Sequence, residues 1–80
     1  MKKLNENEVK AIKAICADCD DIDGYGFTRV ADMMLALVNE FKNGQVAGGY
    51  VTDLMDKGLI DVDDHEDEVW VEPEVFEAYC

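Results

Sequence analysis

The stretch Asn43-Gly-Gln-Val-Ala-Gly-Gly-Tyr-Val-Thr-Asp-Leu-Met-Asp-Lys-Gly-Leu-Ile60 decides how the rest of the chain is read. Asn43-Gly44 is a turn signal. Val46, Ala47, Tyr50, Val51, Leu54 and Met55 then recur at helical spacing, and Gly58 stops the helix just beyond its last turn. A helix over about Gln45 to Lys57 is expected. Gly48-Gly49 inside it costs roughly 1–2 kcal/mol relative to two alanines. That cost predicts close approach of a neighbouring helix or a ligand.

Two more helices precede this one. Asn5 is a good N-cap, Glu8 can return the bond to the Asn5 backbone, and Leu4 can pack on Val9. Val9, Ile12, Ile15, Cys16 and Cys19 form an apolar stripe, with Lys10 and Lys13 on the other face, so the first helix is expected over roughly residues 5–19. Asp20 to Phe27 reads as a loop, because Gly24 and Gly26 permit positive φ and Asp20, Asp21 and Asp23 solvate the backbone. Thr28 is expected to cap a second helix reaching about Lys42. That helix is apolar on nearly every side, which predicts burial all round or cover from another subunit.

Downstream, Leu59 to Val62 and Glu68 to Val71 are rich in β-formers, and a polar connector, Asp63 to Asp67, joins them as a hairpin. Pro73 suits the first turn of a short closing element packed through Val75, Phe76 and Tyr79.

Helix, helix, turn, helix, then Lys57-Gly58-Leu59-Ile60 and a hairpin resembles the winged helix-turn-helix domain of MarR-like and ArsR-like regulators. In those families a small residue falls where Ala47 or Gly48 stands, and core residues fall at Val51 and Leu54. The resemblance implies an α+β winged helix over residues 1–80 as one domain: three helices, a two-stranded β-hairpin wing and a short C-terminal element. Fold alone says little about function.

The charge pattern conflicts with what such a domain normally does. DNA is read mainly by Arg, Lys, Asn and Gln and held mainly by Lys and Arg. On the third helix only Gln45 and Thr52 suit base contacts, and Lys57 is the sole base. From Asp61 to Cys80 there are nine carboxylates and neither Lys nor Arg. Hairpin strands of about five residues span roughly 17 Å at ~3.3 Å per residue. The acids between Asp61 and Glu72 thus recur every few Å, the same order as the one charge per ~1.7 Å of duplex DNA. The expected function is non-enzymatic binding of a basic protein surface, with a nucleic-acid-handling protein as the partner class and DNA imitation as the mechanism. The contact residues would be Asp61, Asp63, Asp64, Glu66, Asp67, Glu68, Trp70 and Glu72. In size and charge the chain is similar to phage-encoded inhibitors of host nucleic-acid machinery. The alternative is a dimeric DNA-binding regulator that uses Gln45, Thr52 and Lys57, with Lys2, Lys3, Lys10 and Lys13 on phosphate.

Composition sets the remaining bounds. The net charge is −12, which disfavours nucleic acid and anionic membranes and favours basic protein surfaces. The longest apolar run, Met33 to Val38, is far short of the ~20 residues that cross a bilayer. No apolar stretch follows Lys2-Lys3, so a signal peptide is not expected and a cytosolic location is the default. In the cytosol Cys16, Cys19 and Cys80 are expected as reduced thiols. Cys16 and Cys19 fit core periodicity better than a zinc site, which needs about four ligands. A calcium loop aligned on Gly24 would put Cys19 and Val30 at ligand positions, which excludes it. His65, set among acids, lacks a neighbouring nucleophile. No catalytic residue, metal or cofactor is expected. Trp70 points opposite to Val69 and Val71, so either the valines or the indole faces outward. The core is its default fate, and an exposed indole within an acidic rim would be a binding hot spot.

Overall fold

Turn chemistry in residues 20–28 builds more sheet than the sequence pattern suggests. In the computed structural model, which describes residues 3–80, Asp23 and Gly24 have φ of 54° and 88°. Positive φ at both central residues gives the two-residue turn whose twist suits a hairpin. Asp21 Oδ1 accepts the Gly24 N–H at 2.9 Å and fixes it. Asp20–Ile22 (β1) and Tyr25–Thr28 (β2) accordingly pair antiparallel, where a loop was expected. Thr28 closes β2 and is buried, so it does not cap the helix that follows.

The expected second hairpin forms from Ile60–Asp63 (β3) and Glu68–Val71 (β4). Strand β4 has no free edge, because β2 pairs along its other side, and the sheet order is β1-β2-β4-β3 with every pairing antiparallel. Four helices complete the described residues: Glu6–Ala17 (α1), Val30–Phe41 (α2), Gly44–Asp56 (α3) and Pro73–Tyr79 (α4). This overturns the winged helix-turn-helix with three helices and a two-stranded wing. The α+β class stands, but the expected wing is half of a four-stranded sheet.

Alternation along the strands assigns the two faces of that sheet. Val69 and Val71 are fully buried, and Ile60 and Val62 lie opposite them in register. These residues meet Ile12, Ile15, Met33, Leu37, Leu54 and Val75 in one core between sheet and helices. Gly26, opposite Val71, makes room for α4: a Cβ there would lie 2.7 Å from Phe76 Cδ1 and 3.1 Å from Val71 Cβ.

Helix ends follow local chemistry. Asn5 and Glu8 form the expected capping box, and Asn43 Oδ1 accepts the N–H groups of Gln45 and Val46 at the start of α3. Glu8 is nonetheless buried, and its second carboxylate oxygen is ion-paired with Lys57 at the end of α3. Lys57 also lies 3.5 Å from Asp53. Pro73 opens α4 as expected. In α2, Met33 and Leu37 are fully buried while Leu35 is 61% exposed, so the expected burial on all sides is not met within one chain.

Cys16 and Cys80 are joined by a disulfide, with their Cα atoms 5.4 Å apart, in place of the expected reduced thiols. The bond ties the last residue to α1 across 64 positions. In the chain-entropy account a closed loop of that size stabilises by about 4 kcal/mol. Among the described residues no helix is long and apolar enough to cross a membrane.

Gly48 and Gly49 were expected to admit a close neighbour, yet a Cβ at either position meets nothing within 4 Å. They are open helix-interior positions, where glycine is simply unfavourable. Gly48→Ala and Gly49→Ala should each stabilise the fold by about 0.5–1 kcal/mol, whereas Gly26→Ala should destabilise it by about 1–3 kcal/mol through overpacking. Denaturant midpoints of the three variants check this. A loss of stability at Gly48 or Gly49 would refute the open-surface assignment.

Candidate functional site

The face of the sheet turned away from the helices carries the chain's most unusual chemistry. Trp70 lies between Phe27 and Asp61 in the strand register, and Asp20 lies opposite Phe27. Because Val69 and Val71 point into the core, the indole points outward and is half-buried only by its neighbours. It leans on Phe27, with ring centroids 4.6 Å apart, and meets Tyr25 edge-on at 6.0 Å and 88°. Such aromatic pairs contribute about 0.5–1.5 kcal/mol beyond their buried area. The core was the default fate of this side chain; strand alternation sends it to the other face.

Carboxylates surround the aromatic row. Asp20, Asp61, Asp63 and Glu68 share its face by register. At the end of the row nearest the β1–β2 turn, Ile22, Asp23, Tyr25, Asp61, Trp70 and Glu72 line an open cleft of about 440 Å³. Glu72 stands just before α4, where its side chain makes no capping hydrogen bond. At the opposite end, the Arg29 guanidinium lies over the Phe27 ring, 5.2 Å from its centroid, and donates to the Asp67 carbonyl at 3.4 Å.

The residues expected as one acidic contact surface thus divide into two groups. Asp61, Trp70 and Glu72 come together at the cleft. Asp63, Asp64, Glu66 and Asp67 lie at the β3–β4 turn, beyond the far end of the row, beside Glu68. Two of the turn acids have backbone work. Asp63 Oδ1 accepts the N–H groups of His65 and Glu66 at 3.1 and 3.2 Å. Asp67 Oδ1 accepts the Val30 N–H at 3.0 Å and so caps α2, the role expected of Thr28. Ile22, Asp23 and Tyr25 are absent from the expected contact residues because the sequence pattern of residues 20–27 suggests a loop. The Asp23-Gly24 pair, a two-residue hairpin turn ahead of the aromatic run Tyr25 to Thr28, is the one available signal.

The residues of the DNA-binding alternative are not assembled into a basic surface. Gln45 and Thr52 are exposed on α3, with the Thr52 hydroxyl donating to the Gly48 carbonyl at 3.3 Å, while Lys57 is drawn inward to Glu8. Lys3, Lys10 and Lys13 are exposed, and Lys2 lies outside the described residues.

Cys19, the one free thiol, donates to the Ile15 carbonyl at 3.2 Å. Burial pushes its pKa up to about 11, with Asp18 and Asp20 adding to the shift. At neutral pH the thiolate is then roughly one part in ten thousand, so Cys19 is a poor nucleophile and a poor attacker of the neighbouring disulfide. Alkylation of Cys19 at pH 7 should run about 10- to 100-fold slower than that of a free cysteine. Its rate should keep climbing through pH 10, and a plateau near pH 8.5 would refute the shift.

No protein-family model, no curated protein sequence and no solved structure matches this chain.

Proposed function

We propose that this protein is a non-enzymatic binding domain that docks a basic protein segment on the outer face of its sheet. One observation carries the reading: Trp70, on the central strand pair, is turned away from the core into a row of aromatics edged by Asp20, Asp61, Asp63, Glu68 and Glu72. An aromatic centre with a charged rim is the composition of an interface hot spot, where the rings supply contact area and the rim sets partner charge. The net charge of −12 steers positively charged partners toward the domain and works against self-association through this face. In a nucleic-acid-handling partner, the matching segment is one that otherwise meets phosphate.

Neither Cys16 nor Cys80 lines the cleft, so their bond supports the fold without touching a docked segment.

Calorimetric titration with a Lys/Arg-rich peptide tests the proposal. Binding should weaken as salt rises, and Trp70→Ala should weaken it by at least about 10-fold, the size of a modest hot spot. Unchanged affinity in Trp70→Ala, or tight salt-sensitive binding of duplex DNA in a gel shift, would sink it.

A further inference from the structure

The cleft at the β1–β2 end of the sheet has the chemistry to select one kind of side chain. Tyr25 and Trp70 stand at 88° to each other and form two aromatic walls. Asp23, Asp61 and Glu72 place carboxylates at the rim of the same cleft, and Ile22 adds an apolar edge. Ring faces attract cations through their quadrupoles, and carboxylates accept the hydrogen bonds a cation donates. A neutral group gains only packing and weaker hydrogen bonds from this combination, and an anion is repelled by the carboxylates. The volume of about 440 Å³ is ample for one long side chain with its flanking backbone.

The opposite end of the same aromatic row indicates which cation. There the chain's own Arg29 lies over Phe27 while its guanidinium donates to a backbone oxygen. A planar guanidinium can stack on a ring and still use its edge donors, which a compact ammonium cannot do. Trp70 is the better stacking platform, and at its end the acceptors are carboxylates, not a carbonyl. The geometry points to this cleft as a receptor for an arginine side chain, stacked against Trp70 with its edge donating to Asp61 and Glu72. The inference rests on the proposed docking of a basic segment and names the residue of that segment that is read.

Trp70 is the sole tryptophan, so its fluorescence reports on the cleft directly. Titration of the full chain with N-acetyl-arginine methylamide should change Trp70 emission saturably. The uncharged citrulline counterpart, the lysine counterpart and tetramethylammonium should each bind at least 10-fold more weakly. Asp61→Asn combined with Glu72→Gln keeps the reporter and should weaken the arginine response at least 10-fold, with an unchanged denaturation midpoint confirming the fold. Equal responses to arginine and citrulline, or a stronger response to either ammonium, would overturn the assignment. Arginine-rich and lysine-rich peptides of equal charge separate the two levels of the argument. Preference for the arginine peptide supports the receptor, equal binding of both removes it while leaving the docking face intact, and binding of neither removes the docking face itself. A concentration-dependent dimer that Trp70→Ala abolishes would identify a second copy as the occupant and also overturn it.

Discussion

Strand β4 is the constraint on which the rest of the structure depends. It is hydrogen-bonded on both edges, so its side chains have only two directions to take, and the core claims one of them. Val69 and Val71 fill that direction completely. A one-residue slip in register would bury Trp70 and Glu68 and expel both valines. The placement of the indole is therefore a consequence of core packing, and the aromatic row grows around it because Tyr25 and Phe27 alternate with Gly26 and Thr28 on the adjacent strand. Gly26 completes the arrangement by letting the Phe76 ring reach the sheet on the core side.

Charge is distributed by the same logic. An acid on the inner face would need a partner, and Glu8 shows what that requires: a capping hydrogen bond on one oxygen and a lysine on the other. Desolvating two charges offsets much of what they gain from each other. The remaining acids avoid that difficulty by standing near solvent. Asp20, Asp61, Asp63 and Glu68 stand on the outer face of the sheet, others at the turns, and Glu6, Asp32, Glu40, Asp56 and Glu77 on the helices. Strand register thus sets several carboxylates beside the aromatic row, while others are spread over the helices.

Much of the helical part was legible in the sequence, because capping residues and 3.6-residue periodicity act locally. The α1 capping box, the Asn43 start of α3, and Pro73 at the head of α4 all follow from single residues and their near neighbours. The β3–β4 hairpin was legible for the same reason. What failed was non-local. Three exposed residues, Asp20, Asp21 and Ile22, carry almost no strand signal of their own and become a strand by pairing with β2. Once that hairpin is missed, β4 loses its second neighbour and the domain resembles a winged helix. Half of the cleft disappears with it, since Ile22, Asp23 and Tyr25 come from that segment. The Cys16–Cys80 bond was equally invisible, because 64 intervening positions hide a Cα separation of 5.4 Å. The paired glycines of α3 misled in the other direction, suggesting contact where the surface is open.

The Asp67 carboxylate reaches from one hairpin to the first backbone amide of a distant helix. This single bond clamps the β3–β4 turn against α2, and Arg29, the residue preceding that amide, closes the same joint through the Asp67 carbonyl. One end of the aromatic row is thereby anchored to a helix, while the other ends in the tight Asp23-Gly24 turn. If a segment docks here as proposed, it meets strands already paired in the sheet, which lowers the ordering entropy spent at association. Rigidity supplied far from the contact is what would let so small a face hold a partner.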